Sequence, residues 1–236
     1  MFQFKQFAIT QELSAMKVGT DGVLLGAWAP IDHNPFSVLD IGAGTGLIAL
    51  MLAQRTDAEV IEALEIDADA HAECVENFEN SPWNDRLFCF HSSLDDFMDE
   101  LEDEEYDLIV SNPPYHVEDY FSGDDKRDTA RFTASLPFGD LCEAAAVLLS
   151  EDGIFCVVIP FSAEEHFIAL AAENDLFPMK ITRVKGTPTT EIKRSLLAFS
   201  RNQTDDFPVD ELVIETARHQ YTDAYVQLTK DFYLKM

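Results

Sequence analysis

Cysteine is scarce and unpatterned in this chain. Of its 236 residues four are cysteines, Cys74, Cys89, Cys142 and Cys156, and no two stand in CxxC spacing. That spacing excludes a zinc ribbon and offers no disulfide framework. Long apolar runs are also missing: no stretch reaches the roughly 20 residues that span a bilayer. The first segment, MFQFKQFAITQELSAMK, lacks an apolar stretch followed by a small-residue cleavage site. A cytoplasmic protein with no membrane anchor and no bound metal is expected. No repeat, low-complexity tract or composition break marks a linker, so residues 1–236 are expected to form a single domain, with 1–36 as an N-terminal lid segment and 37–236 as the core.

Positive charge is the scarcest property of all. Sixteen Lys and Arg face 44 Asp and Glu, a net charge of −28, which repels nucleic acid at long range. The distribution is uneven. Residues 95–107, DDFMDELEDEEYD, hold nine acids and no base, whereas half of the bases fall in two regions, Lys126/Arg127/Arg131 and Lys180/Arg183/Lys185/Lys193/Arg194. A solvated acidic surface with scattered bases and a local binding patch are both compatible with this pattern.

What the chain does have is alternation. From residue 37, short apolar runs (SVLDI, EVIEALEID, LFCFH, YDLIV, GIFCVVIP) are separated by helical patterns at GLIALMLAQR, DADAHAECVENFEN, Leu94–Met98 and LPFGDLCEAAAVLLS. A further helix, SAEEHFIALAAEN, is expected to be capped by Ser162. Near-continuous apolar strands joined by helices imply a mostly parallel α/β sheet covered on both faces, with right-handed crossovers. The last third changes rhythm: MKITRV, SLLAFS and ELVIE follow without intervening helices, which predicts antiparallel pairing at one sheet edge, before a final helix over TDAYVQLTKDFYLKM.

Two strand ends carry chemistry. Asp40-Ile41-Gly42-Ala43-Gly44-Thr45-Gly46 lies between a strand and a helix, where glycines permit a tight turn and let backbone approach a ligand. A dinucleotide fingerprint would need glycine at 47, and Leu47 stands there. Glu65 ends the next strand. Its two oxygens suit a vicinal diol, and Asp67 is better placed to cap the following helix. The third apolar run ends in HSSLDDF, where Ser93 or Asp95 are the polar candidates.

The fourth run ends in Ser111-Asn112-Pro113-Pro114-Tyr115. Two prolines cannot continue a central strand, but each fixes φ and biases the preceding residue toward extended geometry. The carbonyl of Asn112 and the backbone carbonyl of Pro113 are then directed outward as two acceptors, with no N–H at 113 or 114 to compete. Two acceptors that each bind one N–H of a planar amine favour a pyramidal nitrogen with an exposed lone pair. Tyr115 adds an aromatic face for a planar base.

The spacing of Gly42, Gly44 and Gly46 behind Asp40 resembles motif I of class I S-adenosylmethionine-dependent methyltransferases, and Asn112 to Tyr115 resembles the [ND]PP[YFW] motif of amino-methyltransferases. The resemblance implies S-adenosyl-L-methionine as cofactor, with Glu65 on the ribose and a residue after the third strand on the adenine. Leu94 stands where an acid is common, so Ser93 is the assignment there. AMKVGTDGVLLGAWA (Ala15–Ala29), SPW, DLIVSNPPY, the FT after Arg131, FCVVIP, LLAFS and FYL extend the match over nearly the whole chain, which is similar to bacterial tRNA1(Val) adenine-N6 methyltransferases. This implies methylation of the adenosine 3′ of the anticodon in a valine-accepting tRNA, with Lys17, Thr20 and Asp21 bordering the cofactor pocket, Asn112 beside it, and Lys126, Arg127 and Arg131 on tRNA phosphates. A protein-glutamine N5 methyltransferase, an rRNA guanine-N2 methyltransferase and a non-catalytic cofactor-binding module are the competing readings.

Overall fold

The computed structural model describes residues 1–101, 104–114, 136–204 and 206–236. Tyr115, Lys126, Arg127 and Arg131 lie outside the described residues. Strands β1 (Phe2–Gln3) and β2 (Ala8–Ile9) form a small antiparallel pair ahead of helix α1 (Thr20–Trp28). There follow β3 (Ser37–Ile41), α2 (Leu47–Arg55), β4 (Val60–Glu65), α3 (Ala68–Glu79), β5 (Leu87–His91), α4 (Leu94–Glu100) and β6 (Tyr106–Ser111). The second half contains α5 (Phe138–Leu148), β7 (Leu149–Pro160), α6 (Glu164–Glu173), β8 (Phe177–Lys185), β9 (Ile192–Ser200), β10 (Val209–Val213), the short pair β11 (Glu215–Ala217) and β12 (Gln220–Tyr221), and α7 (Asp223–Thr229).

Eight strands make one sheet in the order β10-β8-β9-β7-β6-β3-β4-β5. β7, β6, β3, β4 and β5 run parallel. The antiparallel step expected near the C-terminus is β9, which pairs antiparallel to both β7 and β8. It sits inside the sheet, not at its rim, and the rim strand β10 runs parallel to β8. Three strands without helices between them leave their lateral order open in sequence, because their pairing depends on which hairpin packs onto β7.

Both faces of the central strands are buried, and successive strand residues divide between them, whereas the edge strands β5 and β10 are largely exposed. Val38, Leu108, Val110, Cys156 and Val158 face α1, α2 and α3, whereas Leu39, Ile109, Phe155, Val157 and Leu197 face α4, α5 and α6. This two-sided burial explains why the strands read as unbroken apolar runs. Caps define several helix starts: Asp67 accepts from Ala70 N–H at 2.9 Å as expected, and Thr222 starts α7. Ser162 does not cap α6, which is entered through a 3₁₀ turn over Phe161–Ala163. α7 ends at Thr229, short of the helix read to the C-terminus.

The N-terminal segment is held from α3. Asn77 accepts from Thr10 N–H at 2.7 Å and donates to the carbonyls of Thr10 and Thr45. Glu73, one turn earlier and buried, accepts from the N–H groups of Glu12, Leu13 and Ser14 and from the Ser14 hydroxyl. Burial opposes ionisation of Glu73, but the bonds from Ser14, Leu13 and Glu12 outweigh it and bring its carboxyl down to about 2. A depressed folded-state value contributes stability that is complete above the unfolded value near 4.5 and lost as pH falls through about 2. Substituting Glu73→Ala should therefore speed hydrogen exchange at Leu13 and Ser14 at least tenfold at pH 6. The difference in melting temperature from the native chain should shrink below pH 4; a constant difference at all pH values would remove the carboxylate from this role.

Candidate active site

Three parallel strands, β3, β4 and β6, end side by side, and each delivers one part of the site. Ser111 Oγ donates to the Ile41 carbonyl at 2.8 Å, fastening the end of β6 to that of β3. Beyond β3 the chain turns through Gly42, Gly44 and Gly46 with φ of 72°, 56° and 78°, all in the left-handed region that favours glycine. The N–H groups of Gly42 and Ala43 donate to the Leu64 carbonyl of β4 at 3.0 and 2.9 Å.

The three glycines differ in what surrounds them. A Cβ on Gly46 would stand 2.5 Å from Phe78 and 2.8 Å from Cys74, so this glycine permits α3 to pack against the start of α2. Among the described residues, a Cβ on Gly42 or Gly44 would meet nothing within 4 Å. These two line open space at the carboxyl ends of the strands, the place where parallel sheets take ligands.

Glu65 closes the turn. Its Oε2 accepts from Gly44 N–H at 2.7 Å and its Oε1 from Asp67 N–H at 2.8 Å, so the carboxylate is fixed in orientation by backbone on both oxygens. Each oxygen retains a lone pair for an incoming hydroxyl. Asp40, fully buried, accepts from Ala49 N–H at 3.1 Å through Oδ2, while Oδ1 has no hydrogen-bond partner among the described residues. Burial above all, with the nearby charge of Glu65 and against the Ala49 bond, raises the Asp40 carboxyl to about 7.

Past β5, Ser93 and its neighbours Ile66, His91, Ser92 and Asp96 line an open pocket of about 490 Å³. The Ser93 hydroxyl is engaged in capping α4: it accepts from Asp96 N–H at 3.1 Å and donates to the Asp96 carboxylate at 2.6 Å. Past β6, Asn112 and Pro114 are half-buried and Pro113 is buried. Helix α1 reaches this strand end through Gly22, where a Cβ would lie 3.1 Å from Leu47 and 4.0 Å from Asn112 Nδ2. Lys17 and Thr20 are exposed on the approach to that helix, and the Asp21 carboxylate pairs with Arg194 Nε at 2.7 Å.

Sequence reasoning did not find Gly22, Glu73 or Asn77. Glu73 and Asn77 stand four residues apart and so share a helix face. Their burial among backbone groups of a distant segment left no local signal.

The parallel sheet, the glycine turn and the acid at the next strand end define a Rossmann-like class I methyltransferase, whose cofactor is S-adenosyl-L-methionine. The family model for the methyltransferase small domain matches residues 28–168. A solved structure described as a predicted O-methyltransferase from Agrobacterium tumefaciens shares the fold with a TM-score of 0.71 at 19% identity, covering 90% of this chain and 96% of that one. A Thermus thermophilus 16S rRNA N2 G1207 methyltransferase, solved with its cofactor and guanosine, has a TM-score of 0.55 at 22% identity, over 80% of this chain and 45% of that one. Among curated relatives, a tRNA1(Val) (adenine(37)-N6)-methyltransferase of Flavobacterium johnsoniae is 66% identical over 236 residues, all of both chains. One from Bacteroides fragilis strain YCH46 is 44% identical over 235 residues, 100% of this chain and 98% of its own length. The chain belongs to the tRNA1(Val) (adenine(37)-N6)-methyltransferase family.

The cradle fits such a cofactor by its open glycines and its oriented carboxylate at Glu65. The contrast between glycines is testable. Gly46→Ala should lower folding stability by about 2–4 kcal/mol, from steric overlap and a left-handed φ. Gly44→Ala should cost only about 1 kcal/mol of stability yet weaken cofactor binding more than tenfold by calorimetry. Equal stability losses, or undiminished binding in Gly44→Ala, would contradict this division.

Proposed function

We propose that the chain transfers a methyl group from S-adenosyl-L-methionine to N6 of adenine 37, beside the anticodon of a valine-accepting tRNA, and that it works in the cytoplasm, where its substrate is found. The observation that supports this reading most is the full-length match to relatives of that name, together with Asn112-Pro113-Pro114 at the end of β6, next to the glycine cradle. Gly42 and Gly44 approach the cofactor with backbone, and Glu65 takes its ribose hydroxyls. Ser93, with Ile66, lies beside its adenine. Asp40 and Gly46 hold the turn in shape. Lys17, Thr20 and Asp21 border the pocket from the N-terminal side. The bound cofactor supplies an electrophilic methyl group on a sulfonium sulfur.

The protein must make an unreactive nitrogen reactive. The exocyclic amine of adenine is a weak nucleophile because its lone pair is delocalised into the ring. Asn112 Oδ1 accepts one of its N–H bonds and the Pro113 carbonyl accepts the other, an arrangement that strengthens as positive charge develops on nitrogen. Once the amine has received the methyl group that the cofactor would supply, its surplus proton would leave to water, past the Asn112 and Pro113 acceptors. No shifted general base is required. Pro113 and Pro114 keep both acceptors at the strand end, and Tyr115 offers the ring on which the base stacks. Lys126, Arg127 and Arg131 meet phosphates of the anticodon loop, with the adenosine extruded to reach the site.

Asn112→Ala removes one acceptor without disturbing the glycine turn. We expect methylation to slow at least tenfold, with cofactor affinity by calorimetry within about threefold of the native value. Turnover unchanged in this variant would exclude Asn112 from the transfer step.

A further inference from the structure

Apart from Arg194, which pairs with Asp21, the second basic region of the sequence plays no part in the transfer site described above. It comprises Lys180, Arg183, Lys185, Lys193 and Arg194, five bases within 177–200 where Glu191 is the sole acid. The fold gathers them on the β8–β9 hairpin. Because β9 runs antiparallel to β7 and β8, the turn between Lys185 and Ile192 projects from the same end of the sheet as Asn112. Ser111 is level with Val157, whereas Arg194 is level with Pro160, three residues further along β7. The hairpin therefore stands about 10 Å proud of the end of β6, at a lateral distance of two strand spacings, about 10 Å.

Three of these bases already serve the fold. Lys180 lies over the Trp28 ring at 4.6 Å. Arg194 holds Asp21 at the start of α1. Arg183 is bound to the buried Glu164 by three hydrogen bonds of 2.7–3.2 Å and lies over the Phe161 ring at 5.5 Å. Lys185 is shared with Glu211 at 2.7 Å, and Lys193 is exposed without an ion pair among the described residues. Lys193 stands at a register shift of β9, between Arg194, which pairs with Val184, and Ile192, which pairs with Lys185 and lines the cleft beside Phe161.

Beside the hairpin lies an open cleft of about 520 Å³ lined by Phe161, Lys185, Pro188, Thr190, Ile192 and one acid, Glu191. Phe161 is 37% exposed. The turn is internally fastened, with Thr187 N–H donating to Thr190 Oγ1 and that hydroxyl donating back to the Thr187 carbonyl, both at 2.9 Å. A fixed aromatic ring, apolar walls and lysines at the rim are the components of a nucleotide subsite: bases stack on aromatic faces and lysines meet phosphate. In a chain of net charge −28, Lys193 and Lys185 bring positive charge to the rim of this cleft, where a phosphate is the complementary group.

We infer that this cleft receives an RNA nucleotide flanking the methylated adenosine, its base against Phe161 and its phosphate at Lys193 and Lys185. The inference rests on the reading of the chain as a tRNA methyltransferase. It adds a part of the RNA footprint distinct from the segment that carries Lys126, Arg127 and Arg131.

The test measures methylation of a valine-tRNA anticodon stem-loop and its binding over a range of salt. Lys193→Glu should raise KM for the stem-loop about tenfold with kcat within about twofold, and make the plot of log affinity against log salt shallower by about one. Lys193→Arg should behave as the native chain. Phe161→Ala should raise KM about tenfold with the salt slope unchanged. Lys235→Glu at the C-terminus alters net charge equally and serves as control for a general electrostatic effect; cofactor affinity and melting temperature check that each variant is folded. If Lys193→Glu matches Lys235→Glu and Phe161→Ala matches the native chain while the stem-loop is still methylated, the cleft is not an RNA subsite and the proposed activity stands. If the native chain methylates no tRNA, both fall together.

Discussion

Two backbone N–H groups, those of Gly44 and Asp67, converge on the carboxylate of Glu65, and the geometry of the site follows from that convergence. The contact with Gly44 fixes the middle of the glycine turn to the end of β4, so the cradle and the acid that faces it cannot drift apart. The contact with Asp67 sets the residue that caps α3. Through α3 the same constraint extends outward: Asn77 holds the Thr45 carbonyl of the turn and the backbone of Thr10 at once, and Glu73 gathers three further N–H groups of the N-terminal segment. A ligand site, a helix start and a chain terminus are thereby joined in one hydrogen-bonded system, and each glycine of the turn has its own share in it. Gly46 makes room for α3, and a side chain at Gly42 or Gly44 would meet none of the described residues.

The charge distribution complements this organisation. An acidic surface repels RNA in general, and a small number of bases placed near the acceptor end of the sheet favours approach in one orientation. Several of those bases are bound to acids of the fold, Arg183 to Glu164 and Arg194 to Asp21. Their role is to brace Phe161 and the start of α1, which leaves Lys193 as the exposed base of the hairpin.

Much of this was legible in sequence, for identifiable reasons. The strand SVLDI was readable to the residue because both of its faces are buried and its flanks are turns, and Asp67 because a cap is a local interaction. Glycines at 42, 44 and 46 and the acid at 65 are marked by resemblance to motif I of class I methyltransferases, and all four stand within one βαβ unit. What stayed hidden is long-range: the insertion of β9 between β7 and β8, the parallel rim strand β10, and the ion pair of Asp21 with Arg194 across 173 positions. The 3₁₀ entry into α6 displaced the expected Ser162 cap by tertiary packing against β9. Glu73 and Asn77 read as ordinary polar positions of an amphipathic helix, since nothing in the pattern reveals that residues 10–14 cover them.

The decisive measurement is nucleoside mapping by mass spectrometry of valine-accepting tRNA incubated with this protein and isotopically labelled S-adenosyl-L-methionine. The label should appear in N6-methyladenosine at position 37 and at no other nucleoside. Label in guanine N2, or in protein with none in tRNA, would contradict the account.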